Sequence, residues 1–94
     1  MSSFAVEEQL ALASGVDVSD DELIVTLVDG RRISAPLIWF PRLFDASPSE
    51  RANWRLIGDG IGVHWPDVDE DISVSGLLKG LPSVEFRAHG GNDA

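Results

Sequence analysis

Apolar and polar positions alternate across Val16, Asp17 and Val18, and the polar run Ser19-Asp20-Asp21 behind them predicts a turn out of a short strand. Leu23 to Val28 is β-rich, and Asp29-Gly30 closes it with the strongest two-residue hairpin signal in the chain, which predicts a type I′ turn. The return strand runs from Arg31 to Leu37. Ile33 and Ala35 face inward at period two, while Arg31, Arg32 and Ser34 keep the other face wet. Pro36 cannot donate to a central ladder, so the strand ends or lies at an edge there. Ahead of this meander, residues 1 to 15 are a lead-in whose apolar positions Phe4, Leu10 and Leu12 fit a helical turn and an extended start equally.

From Leu37 the pattern thickens into the densest apolar cluster, Leu37, Ile38, Trp39, Phe40, Leu43 and Phe44, with Pro41 placed to open a short helix. Ser47-Pro48-Ser49-Glu50 then supplies a serine N-cap, proline at N1 and glutamate at N3, a full capping box, and predicts a helix from Pro48 to about Asn53. A second hairpin runs from Trp54 to Ile57, turns through Gly58-Asp59-Gly60 and returns from Ile61 to Trp65, with Gly62 marking a bulge or a close backbone approach. After Pro66, the acids Asp67, Asp69, Glu70 and Asp71 lead toward a helix from Val74 to Lys79. Ser73 caps that helix, Gly80 stops it, and the acids favour its positive end. The expected fold is α+β: a small antiparallel sheet, made of the N-terminal meander plus the later hairpin, with two or three short helices. Residues 16 to 80 form the single domain, and residues 81 to 94 a mostly loose tail.

Composition sharpens this in two ways. A hydrophobic share of 44% supports one modest core, so intrinsic disorder is disfavoured. Seven basic residues against 16 acidic ones give a net charge of −9, which repels a phosphate backbone and favours a basic partner over direct nucleic-acid binding. With no cysteine, disulfides and thiol chemistry are excluded, which suits the cytoplasm. The sequence shows neither a signal peptide nor an apolar run long enough for a membrane span.

Candidate chemistry is thin, and no cofactor is implied. The glycines at 58, 60 and 62 precede a β pattern rather than the helix that a dinucleotide loop needs. Asp67, Asp69 and Asp71 match the first three ligand positions of an EF-hand loop, but its sixth and twelfth positions, which require Gly and Glu, hold Ile72 and Leu78. His64 lies near Asp69 in sequence without a nucleophile or a third ligand beside it, so no catalytic constellation and no metal site is expected. Trp39, Trp54 and Trp65 are expected in the core, with an exposed aromatic contact surface beside Arg42, Arg51 and Arg55 as the competing reading.

Several segments together resemble one family: Val28-Asp29-Gly30-Arg31-Arg32-Ile33-Ser34-Ala35-Pro36-Leu37, Trp39-Phe40-Pro41-Arg42-Leu43, Ser47-Pro48-Ser49-Glu50-Arg51, Asn53-Trp54, Gly58 to Gly62, and His64-Trp65-Pro66 with Asp69-Glu70-Asp71 and Gly76-Leu77-Leu78. The chain is similar to domain of unknown function 2442, small bacterial α+β proteins that often carry a His-Trp-Pro-x-x-Asp-Glu-Asp element. The resemblance implies a gene neighbour from another short family, domain of unknown function 4160, in an arrangement like that of a toxin and its antitoxin. Some members continue into a helix-turn-helix, for which the 14 residues after Gly80 are too few.

The expected function is therefore a non-enzymatic protein-interaction module, the antitoxin-like acidic partner of a small basic protein. Candidate contacts are Asp67, Asp69, Glu70 and Asp71, with His64, Trp65, Trp39 and Arg42 as anchors. Competing classes are a regulator acting with a DNA-binding partner, a metal-dependent enzyme using His64 and Asp69 to Asp71, and a homodimer closing over an apolar patch at Phe40 to Phe44.

Overall fold

The computed structural model describes residues 11 to 86. Phe4 and Leu10 lie outside the described residues. The chain forms two antiparallel three-stranded sheets with short helices between and after them. In the first sheet, β1 (Ala13–Val18), β2 (Glu22–Leu27) and β3 (Arg32–Pro36) stand in sequence order, with β2 central. Alternation sets the faces: Leu23, Val25 and Leu27 of the central strand point into the core, as does Ala35 of β3. Pro36 ends the edge strand β3, where no ladder hydrogen bond is lost. The Ser19 hydroxyl builds the β1–β2 turn by accepting from the amides of Asp21 (3.2 Å) and Glu22 (3.0 Å).

The β2–β3 connection differs from the expected type I′ turn. Leu27 pairs with Arg31 and the amide of Gly30 donates to the Leu27 carbonyl at 3.0 Å, so the loop has three residues, Val28, Asp29 and Gly30. Only Gly30 takes a positive φ, +94°, whereas type I′ needs one at Asp29 as well. Asp29 instead accepts from the Arg31 amide (3.0 Å) and from Arg31 Nε (2.7 Å), bonds that hold its carboxyl below the usual carboxylate range.

A 3-10 turn at Leu37–Trp39 leads into α1 (Pro41–Phe44), opened by Pro41 as its spacing predicts, and then α2 (Pro48–Ala52). The capping box of α2 is complete: Ser47 Oγ accepts from the Glu50 amide at 3.2 Å, and the Ser47 amide donates back to Glu50 Oε1 at 2.8 Å. Arg51 on α2 donates to the carbonyls of Leu43 (3.0 Å) and Phe44 (2.9 Å), closing the C-terminal end of α1.

The second sheet contains the main departure from expectation. The predicted hairpin forms as β4 (Arg55–Ile57) and β5 (Gly62–Trp65), but a third strand, β6 (Glu70–Ser73), pairs with β5. The acids from Asp67 to Asp71 therefore occupy a hairpin turn and a strand rather than a lead-in that caps a helix. Helix α3 (Val74–Lys79) starts directly from β6, with Ser73 Oγ accepting from the Gly76 amide at 2.9 Å and Gly80 left-handed at its end.

One core spans both sheets, built on Leu23, Val25, Leu27, Leu37, Val63 and Trp65. The sheets are joined through backbone: the Ala13 amide donates to the Gly60 carbonyl at 2.7 Å, and a Cβ on Gly60 would lie 2.4 Å from the Ala13 oxygen. Gly62 marks the expected close approach, since a Cβ there would sit 2.9 Å from the Ile72 carbonyl oxygen of β6. Phe40 and Leu43 belong to this core, so the patch proposed at Phe40 to Phe44 for a homodimer does not exist as an exposed surface; only Phe44 of that cluster's end, and Ile38 before it, face solvent.

Candidate functional site

The site grows from the β5–β6 hairpin. Its register sets Val63 against Ile72, His64 against Asp71 and Trp65 against Glu70. Pairs alternate between the two faces, so Val63, Ile72, Trp65 and Glu70 point inward and His64 and Asp71 outward. Arg55 of β4 lies opposite His64, giving a polar row across the outer face, where His64 Nδ1 is hydrogen-bonded to Asp71 Oδ1. On the inner face Trp65 is fully buried and its indole N–H donates to the Arg51 carbonyl at 3.0 Å. A partner cannot touch Trp65, which removes it as a contact anchor; with every polar atom satisfied it is a core residue. Trp39 and Trp54 are half-buried against the same core.

Glu70 is the odd member of the inward set. It is only 7% exposed, no described residue donates a hydrogen bond to its carboxyl, and neither oxygen is sealed from solvent. It therefore does not belong to an exposed acidic face with its neighbours. Burial pushes its pKa from an ordinary 4.5 to about 7; Glu85, Asp71 and Asp69 act in the same direction, and Arg42 opposes them.

Arg42 ties three elements together from α1. Its Nη1 donates to the Asp69 carbonyl at 2.6 Å, and its Nε donates to Glu85 Oε2 at 2.9 Å. Asp69 takes a left-handed φ of 54°, which turns its carbonyl toward that guanidinium while the carboxylate stays in solvent. Glu85 comes from Leu81 to Phe86, a segment that returns to the body after Gly80 and is fixed again where the Ser83 amide donates to the Trp39 carbonyl at 3.1 Å. Between β6, α3 and this segment runs an open groove of about 500 Å³, walled by Phe40, Leu77, Leu81 and Val84, with Glu70 and Glu85 along it.

The structure thus brings Arg42, Asp69, Glu70 and Asp71 to one groove, with His64 joined to it through Asp71. Asp67 points elsewhere and accepts from Asn53 Nδ2 at 3.0 Å. Asp67 and Asp71 are bonded to different side chains and the Asp69 carboxylate stands in solvent, and among the described residues no group of three or more acidic or imidazole side chains is placed to hold a metal ion. Glu85, Leu81 and Val84 were missed by sequence reasoning; no local pattern marks them, because their role depends on a contact 43 residues away in the chain.

Such a scaffold, two small sheets sharing a core and a groove at an edge strand, is that of a small α+β domain. The chain belongs to the family described as Protein of unknown function (DUF2442), whose model matches residues 13–83. It is similar to a crystal structure of a protein of unknown function from Rhodospirillum rubrum, at 29% identity and a TM-score of 0.66, over 78% of this chain and 90% of that one. It shares its fold with the solution structure of an uncharacterised protein from Chromobacterium violaceum, at 19% identity and a TM-score of 0.73, over 93% and 83% of the two chains. No curated protein matches. No described helix is long and apolar enough to cross a membrane.

Proposed function

We propose that the chain is a non-enzymatic interaction module of the cytoplasm that binds a small basic protein, in the manner of an antitoxin and its toxin. The observation that carries this reading is the β5–β6 hairpin at the sheet edge, where Asp69 and Asp71 stand exposed beside a groove with apolar walls and Asp67 stands exposed on the turn that leads to it. An apolar centre with a charged rim is the usual anatomy of a protein contact. The surplus of acid, −9 over the chain, speeds encounter with a basic surface and disfavours other partners.

Coexpression of the chain with the product of its adjacent gene, followed by size-exclusion chromatography with light scattering, tests the reading. A one-to-one complex is expected at low salt, weakened by added salt and by the combined substitution of Asp67, Asp69 and Asp71 with Asn, a residue that tolerates the left-handed backbone at 69. Absence of a complex, or one indifferent to both salt and the substitutions, refutes it.

A further inference from the structure

We propose that the groove between β6, α3 and the returning segment Leu81 to Phe86 receives one arginine side chain from the basic partner, with Glu70 as its buried counter-charge. This rests on the interaction reading above and adds the anchor to it. Glu70 occupies an inward register position, opposite Trp65 and next to Ile72 on that face, where an apolar side chain would complete the core. It has no hydrogen-bond donor among the described residues, and its oxygens reach what solvent they have along the groove. Among the described residues this carboxyl has no partner that gives it a structural task.

The walls fit the stem of a long cationic side chain. Leu81 is 46% exposed and Val84 71%, and Phe40 and Leu77 lie deeper. The charged groups acting on Glu70 are Glu85 from the returning segment, Asp69 and Asp71 from its own hairpin, and Arg42 from α1. Arg42 is already engaged by Glu85 and by the Asp69 carbonyl, so among the described residues the acidic side of the groove exceeds the cation that faces it. Arginine suits the vacancy better than lysine: its guanidinium is planar, pairs bidentately with carboxylate, and sheds water more readily against apolar walls. In the free protein burial holds Glu70 near half-protonation at neutral pH, and an arriving guanidinium ionises it, so binding releases a proton.

The probe is an acetylated, amidated Gly-Leu-Arg-Leu-Gly peptide, titrated into the isotope-labelled full chain and followed by NMR, with the citrulline peptide and argininamide as controls. Saturable shifts are expected at the amides of Glu70 to Ile72 and Leu77 to Leu81, with no binding of the uncharged citrulline peptide. Affinity should rise about tenfold from pH 6 to pH 8 as the carboxyl ionises, and Glu70→Gln should lose binding at least tenfold. In the wild-type chain the Glu70 carboxyl resonance should titrate at lower pH with peptide than without it, a readout that needs no variant.

Equal binding of the citrulline peptide, shifts confined to other surfaces, or unchanged affinity in E70Q overturns the proposal; so does argininamide binding as tightly as the peptide, which marks a small-molecule site. A partner complex indifferent to E70Q yet weakened by the Asp67, Asp69 and Asp71 substitutions refutes the groove and leaves the interaction reading standing. Glu70-dependent peptide binding with no basic partner does the reverse.

Discussion

Glu70→Gln should make the protein more stable, and only above a certain pH. The carboxyl has a pKa of about 7 in the folded chain and an ordinary value of 4.5. Below 4.5 it is protonated in both states and costs nothing extra. Between 4.5 and 7 the unfolded chain releases the proton while the folded chain retains it, so stability falls as pH rises; above 7 the loss is constant. In a sealed interior this difference amounts to roughly 3 kcal/mol. Because the Glu70 oxygens retain some contact with solvent, we expect about 2 kcal/mol, which moves the melting temperature of a domain this size by roughly 10 °C. Glutamine has the shape of the protonated acid, so wild type and variant should have equal stability near pH 4 and diverge by pH 8. Urea unfolding monitored by tryptophan fluorescence at pH 4, 6 and 8 measures the gap, and an unchanged denaturant slope confirms that the fold is intact. A gap that does not vary with pH, or a variant less stable at pH 8, refutes the assignment of Glu70 as a buried carboxyl without a partner.

Three further outcomes check the framework around the groove. Gly60→Ala forces a side chain onto a φ of +114° and sets its Cβ 2.4 Å from the Ala13 oxygen, so it should cost more than about 3 kcal/mol and leave little folded protein by circular dichroism. Ser47→Ala removes one half of the α2 capping box and should cost about 0.5–2 kcal/mol in thermal unfolding, and an unchanged melting curve counts against the cap as a source of stability. Arg42→Met deletes the group that, among the described residues, favours Glu70 ionisation, so the Glu70 carboxyl resonance should titrate at a higher pH than in wild type.

The sequence was most legible where local chemistry decides structure. Ser47 to Glu50 specifies a cap by side chains three residues apart, and Ser73 with Gly80 brackets α3. β6 was hidden because Glu70 and Asp71 are poor strand formers and Glu70 breaks the inward apolar alternation that Ile72 alone maintains. Tertiary pairing with β5 overrides that preference. The three-residue β2–β3 loop escaped for a different reason: Asp-Gly suits two turn types, and the Leu27–Arg31 pairing selects the longer one. At the groove, the hairpin acids and Arg42 stood out by charge, but their division into an exposed turn and one buried carboxyl depends on register, where a one-residue shift exchanges the faces.

Stability and recognition place opposite demands on Glu70, and linkage makes the conflict measurable. If a guanidinium pairs with the carboxyl, bound protein holds it ionised and the penalty that free protein incurs between pH 4.5 and 7 is removed. A ligand that binds only the folded state at ten times its dissociation constant adds about 1.4 kcal/mol. Because the dissociation constant falls as the carboxyl ionises, a fixed concentration of the arginine peptide should stabilise the protein more at pH 8 than at pH 6. Denaturant unfolding with and without peptide at the two pH values gives the comparison. A benefit independent of pH means that the peptide binds away from Glu70, whereas a benefit that grows with pH and disappears in E70Q means that a residue detrimental to the free fold contributes its charge to the complex.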